Sequence, residues 1–295
     1  MSRVQISRPE KVLFPADGIT KADLAAYYER VAQWMVPHVR GRPVSMQRFP
    51  VGIERGGFFH KNVPNDFPVW IGRVEVPKEG GSLTHAIANN ADSLVYLVGQ
   101  GTITPHVWLS RSDDLDHPDR LVFDLDPSDT NFARVRSVAR ELGELLRELG
   151  LSPFPMVTGS KGIHLWVPLR RSAGVGEVRA FAEDVGHVMA EQRPDDATMA
   201  FRKAKRGGRI LIDVARNGYA QTAVPPYAVR PRPGAPVATP IRWEELSDSK
   251  LRPDRWNIRN VFRRLSANGD PWAGMGRRAA GIAAARRKLE RRVAG

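Results

Sequence analysis

The 295-residue chain contains no cysteine, which excludes disulfides, thiolate metal sites and cysteine nucleophiles. It has no run of about 18 apolar residues, so no segment reads as a membrane span. The N-terminus, MSRVQISRPEK, lacks the apolar stretch of a secretory signal, which makes the cytoplasm the expected location. Acids are scarce. Against 45 Lys and Arg there are 32 Asp and Glu, giving a formal charge of +13 and a pI near 10.5. That surplus favours a polyanionic partner such as nucleic acid, nucleotide or anionic lipid. The chain is much richer in Arg than in Lys, which a GC-rich genome would also produce. The 42% hydrophobic and 26% charged content is that of a globular protein, and the length suits one large or two modest domains.

Helix and strand periods alternate along the chain, as in an α/β or α+β fold. After VLFPADGI, Thr20 reads as an N-cap with Asp23 three residues on, and Leu24, Tyr28, Val31 and Met35 recur at helical spacing. Pro37 is expected to bound this helix. Between 44 and 110, VSMQRF, GGFFHK, WIGRVEV, SLVYLV and HVWLS read as short strands separated by turns. LVFDLD (121–126) is a strand, residues 131–149 a helix capped by Gly150, and FPMVTGSKGIHLWVPL a strand–turn–strand. A helix over 175–192 and a strand ILIDV follow. PPYAVRPRPGAPVATP (225–240) holds six prolines in sixteen residues, yet Tyr, Val and Arg interleave, so it reads as an extended segment packed on the body. Residues 277–295 read as a basic C-terminal helix or tail.

LVFDLD raises a physical question. Strand alternation puts Leu121, Phe123 and Leu125 on one face and Val122, Asp124 and Asp126 on the other, with the two acids roughly 6–7 Å apart. Like charges at that spacing call for a metal, a cation or a shared proton. Asp213, on ILIDV, supplies a third strand carboxylate. Three carboxylates suit Mg²⁺ or Mn²⁺ and can hold two ions about 4 Å apart, the arrangement for in-line nucleotidyl transfer. A lone DxD is weak: surface acids paired with arginines, aspartyl-phosphate phosphatases and nucleotide-sugar glycosyltransferases share it. The second feature is TGSKGIH, a glycine-flanked turn whose N–H groups can bind an anion, with Ser160, Lys161 and His164 positioned to reach a phosphate. It lacks Walker spacing. A β-turn followed by a satisfied core histidine is the plainer reading of Ser160 and His164 taken alone.

The ordered set LVFDLDP, TGSKGIHLWVPL and ILIDVARNGYAQTAVPPYAVRPRPGAPVATP resembles the polymerase domain of bacterial ligase D, in the archaeo-eukaryotic primase superfamily. KVLFPADGITKADLAAYY, GGFFHKN and the later W-E-E-L extend the resemblance over nearly the whole chain. The resemblance implies that Asp124, Asp126 and Asp213 are the catalytic metal ligands and that Ser160 and His164 contact the phosphates of the incoming nucleotide. It implies that His106 lies near the nucleotide and that Arg206 and Arg230 hold the triphosphate. It implies that Lys11 and Lys21 recognise a DNA 5′-phosphate, and that Phe58 and Phe59 stack on template. Alone, those lysines read as solvated surface and those phenylalanines as core. Where some relatives carry Lys beside the Arg of SMQRFP, this chain has Gln47 before Arg48, which puts one nucleotide or DNA contact in doubt.

The fold expected from the resemblance is a single α/β (α+β) primase-polymerase catalytic domain over 1–295. In it an N-terminal α/β portion packs on a central RRM-like sheet, with the active site in the cleft. The activity expected is template-directed addition of NTPs or dNTPs to a 3′ end with two Mn²⁺ or Mg²⁺ ions, in gap filling and in end-joining or excision repair. Partners implied are DNA with gaps, nicks or broken ends bearing a 5′-phosphate, and Ku and a DNA ligase, in the bacterial cytoplasm and on the nucleoid. No phosphoesterase and no ligase lysine motif accompany it, so it reads as a stand-alone polymerase or a separately produced domain. A non-catalytic DNA-end-binding scaffold, or a primase that starts chains without a primer, are the alternatives.

Overall fold

Thr20 caps the first long helix, as its sequence predicts. The computed structural model describes residues 4–64 and 66–294 and divides into two units, each with its own sheet. The first unit runs to Asp113 and regains the chain at Thr222–Thr239 and Trp256–Asn268; the second holds Asp114–Gln221, Pro240–Arg255 and the remainder from Gly269. No helix among the described residues is long and apolar enough to cross a membrane.

The first unit opens with a two-stranded ribbon, β1 (Val12–Phe14) and β2 (Ile19–Thr20), that leads into α1 (Lys21–Val39). Thr20 Oγ1 accepts from the Asp23 N–H at 3.2 Å, and the Asp23 carboxylate accepts from the Thr20 N–H at 2.8 Å, a reciprocal capping box. Pro37 does not bound α1. It sits inside the last turn, and the helix closes with the Arg40 N–H donating to the Val36 carbonyl. A proline this late removes one bond and leaves the rest of the ladder intact. The sheet comprises β3 (Pro43–Arg48), β4 (Phe58–His60), β5 (Gly72–Lys78) and β6 (Gly81–Ile87), and β7 (Thr102–Val107) pairs along β3. SLVYLV is helical, not a strand: it forms α2 (Ala91–Gly99), started by Asn90, whose side chain accepts from the Ser93 N–H at 2.8 Å. Its leucines and valines are buried, and a short continuous apolar run carries no period that separates strand from helix.

The second unit is built on β8 (Arg120–Asp126), α3 (Phe132–Glu148), β9 (Phe154–Val157), β10 (Ile163–Pro168), α4 (Val175–Gln192), β11 (Ala197–Thr198) and β12 (Ile210–Asp213). The sheet order is β11-β12-β8-β10-β9, and β13 (Thr239–Pro240), where the chain re-enters this unit, extends the β9 edge. Leaving out β11 and β13, a β-α-β-β-α-β chain with β8 and β10 central and antiparallel is the ferredoxin-like arrangement, and that is the RRM-like core the sequence predicts. Gly186 of α4 lies 3.7 Å, through an added Cβ, from Ile212, so α4 covers the face opposite Asp213.

The proline-rich segment is packed, as expected. It folds back on itself in the first unit through Val229 and Val237, and buried Tyr227 accepts at its carbonyl from the Tyr27 hydroxyl at 2.8 Å. α5 (Val261–Asn268) completes that unit. The basic C-terminal helix is α6 (Ile282–Ala294), seated on α4 through Ile282, Ala285 and Leu289. It begins five residues later than the sequence reading, after a 3-10 turn at Met275–Arg278.

Candidate active site

β8 alternates as its sequence predicts. Register then does what sequence alone does not show: Asp213 on β12 pairs directly with Asp124, Leu211 pairs with Asp126, and on the other side His164 of β10 pairs with Asp124. Asp124 is therefore flanked across the sheet by Asp213 and by His164, on one face, with Asp126 two residues along. Asn217, 3% exposed, holds this register. Its side-chain oxygen accepts from the Val122 N–H at 2.9 Å, and its amide donates to the Val122 and Val214 carbonyls, both at 2.8 Å. One side chain thus ties the middle of β8 to the turn that follows Asp213. No motif of the sequence pointed to Asn217.

Each carboxylate has its own neighbour. Asp124 lies 3.3 Å from His164 Nε2. The Trp166 indole N–H, which can only donate, approaches His164 Nδ1 at 3.4 Å, so Nδ1 carries the lone pair and Nε2 the hydrogen that faces Asp124. Asp126 pairs with Arg206 at 3.0 Å. Asp213 accepts from the Ala215 N–H at 2.8 Å, with Arg216 at 3.7 Å. Burial pushes the Asp213 carboxyl above the usual carboxylate range; the charges of Asp124 and Asp126 push the same way, against the Ala215 hydrogen bond and Arg216.

These contacts bear on the metal question. Among the described residues, no group of three or more His, Asp or Glu has its donor atoms converged as an ion's ligands. The donor set nevertheless fits a hard divalent cation: on adjacent strands, burial and the charges of Asp124 and Asp126 raise the proton affinity of Asp213, which a bound cation would reverse. The Asp126–Arg206 pair is the arrangement a purely structural DxD would also show. What separates the site from that reading is the third carboxylate, buried and unfavourably charged beside the first two.

The turn between β9 and β10 is fixed by Thr158, whose hydroxyl accepts from the Ser160 and Gly162 N–H groups at 3.3 and 3.2 Å. A Cβ on Gly162 would stand 2.1 Å from the Leu125 carbonyl oxygen, so only glycine lets this turn lie against β8 between its two acids. Ser160 and the exposed Lys161 line a groove of about 830 Å³ with the chain after β8 and residues 249–254, and Lys161 donates to no group among the described residues.

Arg206 is buried at 5% exposure; it donates to Asp126 and, at 3.0 Å, to the Phe201 carbonyl, while its Nε has no partner. Thus the second unit gathers Asp124, Asp126, Asp213, His164 and Arg206, with Ser160 and Lys161 on the adjoining turn.

His106, Arg230, Lys11, Lys21, Phe58 and Phe59 all belong to the first unit. Gln47 and Arg48 end β3 opposite Phe59 and Phe58. His106 Nε2 lies 3.3 Å from Gln47 Oε1, and the Phe59 ring meets the His106 ring edge-on at 5.0 Å. Arg48 donates to the Gln100 carbonyl at 2.7 Å, reaches His60 Nδ1 at 2.7 Å, and lies over the Phe58 ring at 5.7 Å. Burial and Arg48 lower the His60 pKa. Phe58 and Phe59 are 50% and 53% exposed, so they are not core. Arg230 sits on the packed proline-rich segment, where its charge is felt by buried Tyr28.

Lys21 opens α1, 5% exposed, with its ammonium donating to the Ser7 carbonyl at 2.8 Å. Its pKa is lowered by burial and then by Arg8, Lys11 and Arg48, against Glu10. The sequence reading paired Lys11 with Lys21 and missed Arg8 and Arg48, whose place in the cluster depends on a fold over some forty residues.

Comparison with known proteins identifies the family. The family model described as "LigD, primase-polymerase domain" matches residues 20–272. The multifunctional non-homologous end joining protein LigD of Mycolicibacterium smegmatis is 35% identical over 271 residues, 91% of this chain and 35% of that protein. The protein of the same description from Pseudomonas aeruginosa is 35% identical over 292 residues, 98% of this chain and 35% of that protein. Among solved structures, the polymerase domain from Mycobacterium tuberculosis ligase D in complex with DNA superposes with a TM-score of 0.88 at 32% identity, covering 95% of this chain and all of that one. The chain spans about a third of the length of these curated relatives.

Proposed function

Because the chain belongs to the LigD primase-polymerase domain family, a family of DNA-directed nucleotidyltransferases, we propose that it extends a 3′ end with NTPs or dNTPs, copying a template across a gap or break. The observation that carries this is the in-register set Asp213, Asp124 and Asp126, three carboxylates whose mutual repulsion is built into adjacent strands. They would hold Mg²⁺ or Mn²⁺, which when bound supplies charge neutralisation at the phosphates and acidifies a 3′-hydroxyl. The remaining work falls to side chains. His164, set by Trp166 to present its N–H, orients Asp124. The Ala215 N–H orients Asp213. Arg206 brings a guanidinium beside Asp126 that suits a triphosphate oxygen, and Lys161, Ser160 and Arg230 add charge and hydrogen bonds for the same anion. His106, braced by Gln47 and Phe59, adds a nucleotide contact from the first unit.

On the DNA side, Lys11 and Lys21, with Arg8 beside them, form a like-charge cluster that a downstream 5′-phosphate relieves. Phe58 and Phe59 present half-exposed rings for template bases. The relatives' description as non-homologous end joining proteins and the DNA in the mycobacterial domain's structure support DNA ends as the substrate; Ku and a ligase would be the partners. The whole described chain, residues 277 onward included, would act as one catalytic module in the bacterial cytoplasm. The test is primer extension on a gapped, 5′-phosphorylated duplex with NTPs and dNTPs in parallel and Mg²⁺ or Mn²⁺ added. Wild type extends the primer, and Asp124→Ala abolishes incorporation while still binding the duplex. Full incorporation by Asp124→Ala refutes the carboxylate assignment; binding without extension by wild type identifies a DNA-end scaffold.

A further inference from the structure

Phe201 is 72% exposed, one of the most solvent-accessible large apolar side chains in the protein. It lies in the second unit on the turn AFRKAKRGGR, between β11 and β12, where Arg202, Lys203 and Lys205 are also exposed. None of those three cationic head groups donates to an acceptor among the described residues. The turn itself is firmly held. The Lys205 and Arg206 N–H groups donate to the Arg202 and Lys203 carbonyls at 2.9 and 3.0 Å. Arg209 grips the Arg206, Lys205 and Pro194 carbonyls at 2.8, 3.1 and 3.4 Å. Ser128, just past β8, donates to the Arg209 carbonyl at 2.7 Å. The Phe201 carbonyl accepts from the same guanidinium that pairs with Asp126. One arginine therefore separates the backbone of this ring from a catalytic carboxylate.

A rigid turn that presents an aromatic ring among unpaired cations has the two elements of a single-strand platform: a π-face for a base and charges for its phosphates. We propose that Phe201 is a binding residue on which a base near the 3′ end of the strand being extended stacks, with Arg202, Lys203 and Lys205 on the phosphates that precede it. Three separate cations spread along the turn suit successive phosphodiesters, which argues for a strand over a free nucleotide. The inference rests on the nucleotidyl-transfer reading above.

The full chain is titrated onto a gapped duplex whose primer ends in 2-aminopurine, with parallel probes carrying 2-aminopurine in the template or as a free triphosphate. Stacking quenches the primer-end probe with wild type and with Phe201→Trp. Phe201→Ala and Phe201→Leu lose the quench and bind about 5- to 100-fold more weakly, from the usual energy of one stacked base. Lys203→Ala with Lys205→Ala leaves the quench and lowers the salt dependence of binding. Phe201→Leu that quenches and binds like wild type, or a quench confined to the template or triphosphate probe, overturns the proposal. Extension by wild type is measured in the same preparations: extension without any Phe201 effect removes the stacking alone, while quenching without extension removes the parent reading alone.

Discussion

Gly162→Ala tests how tightly the acidic strand is positioned. Gly162 needs no left-handed backbone; its requirement is space. An added Cβ would stand 2.1 Å from the Leu125 oxygen, 3.1 Å from the Leu125 carbonyl carbon and 3.5 Å from Pro127 Cδ. An ordinary carbon–oxygen contact is about 3.3 Å, so the overlap is about 1 Å. Both partners are backbone, so no rotamer change relieves it; the turn and β8 must part locally by about that distance. Overpacking of this kind costs roughly 1–3 kcal/mol. For a protein of this size that lowers the melting temperature by roughly 2–10 °C. Leu125 lies between Asp124 and Asp126, so the same displacement moves both carboxylates. A misplacement of about 1 Å reduces turnover by roughly 100-fold. The assay is thermal unfolding together with steady-state primer extension. Gly176→Ala is the control: it sits at the start of α4 with nothing within 4 Å of its added Cβ. It should be neutral or stabilising by about 0.4–1 kcal/mol, with activity unchanged. Gly162→Ala that melts within about 1 °C of wild type and retains its turnover would refute the reasoning.

Two other outcomes follow from the electrostatics. Asp213 is favoured in its neutral form by the fold, so its favourable contribution is full below the unfolded carboxylate pKa and is lost as pH rises through its raised folded value. Asp213→Asn keeps an acceptor for the Ala215 N–H and should melt higher than wild type at neutral pH, by a margin that shrinks toward acid pH, while losing extension; an asparagine variant less stable at neutral pH contradicts this. Lys21→Ala should erase the preference for gapped DNA carrying a downstream 5′-phosphate, which in wild type is worth roughly 10- to 100-fold if one charge-assisted hydrogen bond is made. Fluorescence anisotropy with phosphorylated and unphosphorylated duplexes reads this, and an undiminished preference in the variant excludes Lys21.

What could be read ahead of the structure was local. The capping box at Thr20 and Asp23, the alternation in LVFDLD, the bounds of α3 and α4 and the turn before His164 are each set by a few neighbouring side chains. SLVYLV failed because a short continuous apolar run carries no period that distinguishes helix from strand. Pro37 failed because a proline in the last turn costs one bond where the rule assumes an interior position. The candidate carboxylates were legible by type and by resemblance, yet what brings them together is register between strands some ninety residues apart. That register is pinned by Asn217, a residue with no motif of its own. Phe201 was hidden for a related reason. In a sequence an aromatic within a basic run reads as core or surface with equal ease, and only its exposure on a braced turn separates the two.

The charge distribution gives the site its logic. A chain of +13 could have surrounded its three strand acids with cations close enough to neutralise them outright. Instead, the closest cation to Asp213 lies 3.7 Å away, and Asp124 is met by a histidine whose other nitrogen is occupied by an indole N–H. Arg206 makes a short pair with Asp126. Arg206 is the buried member of that pair, with side-chain exposures of 6% against 42%, so the carboxylate is the partner with freedom to turn. The result is a cluster left under-neutralised by its own protein, at the expense of stability that Asp213→Asn should recover. The surplus of positive charge is placed elsewhere, on Lys161, on the Arg202–Lys205 turn and on the cluster around Lys21, where Glu10 offsets the cations only in part. Under-neutralised acids beside under-neutralised cations are each costly to a fold that has no ligand. Within the second unit, the acids with Lys161 and the Arg202–Lys205 turn match a cation and a polyphosphate, which is why these two parts of its charge pattern are best explained by one chemistry.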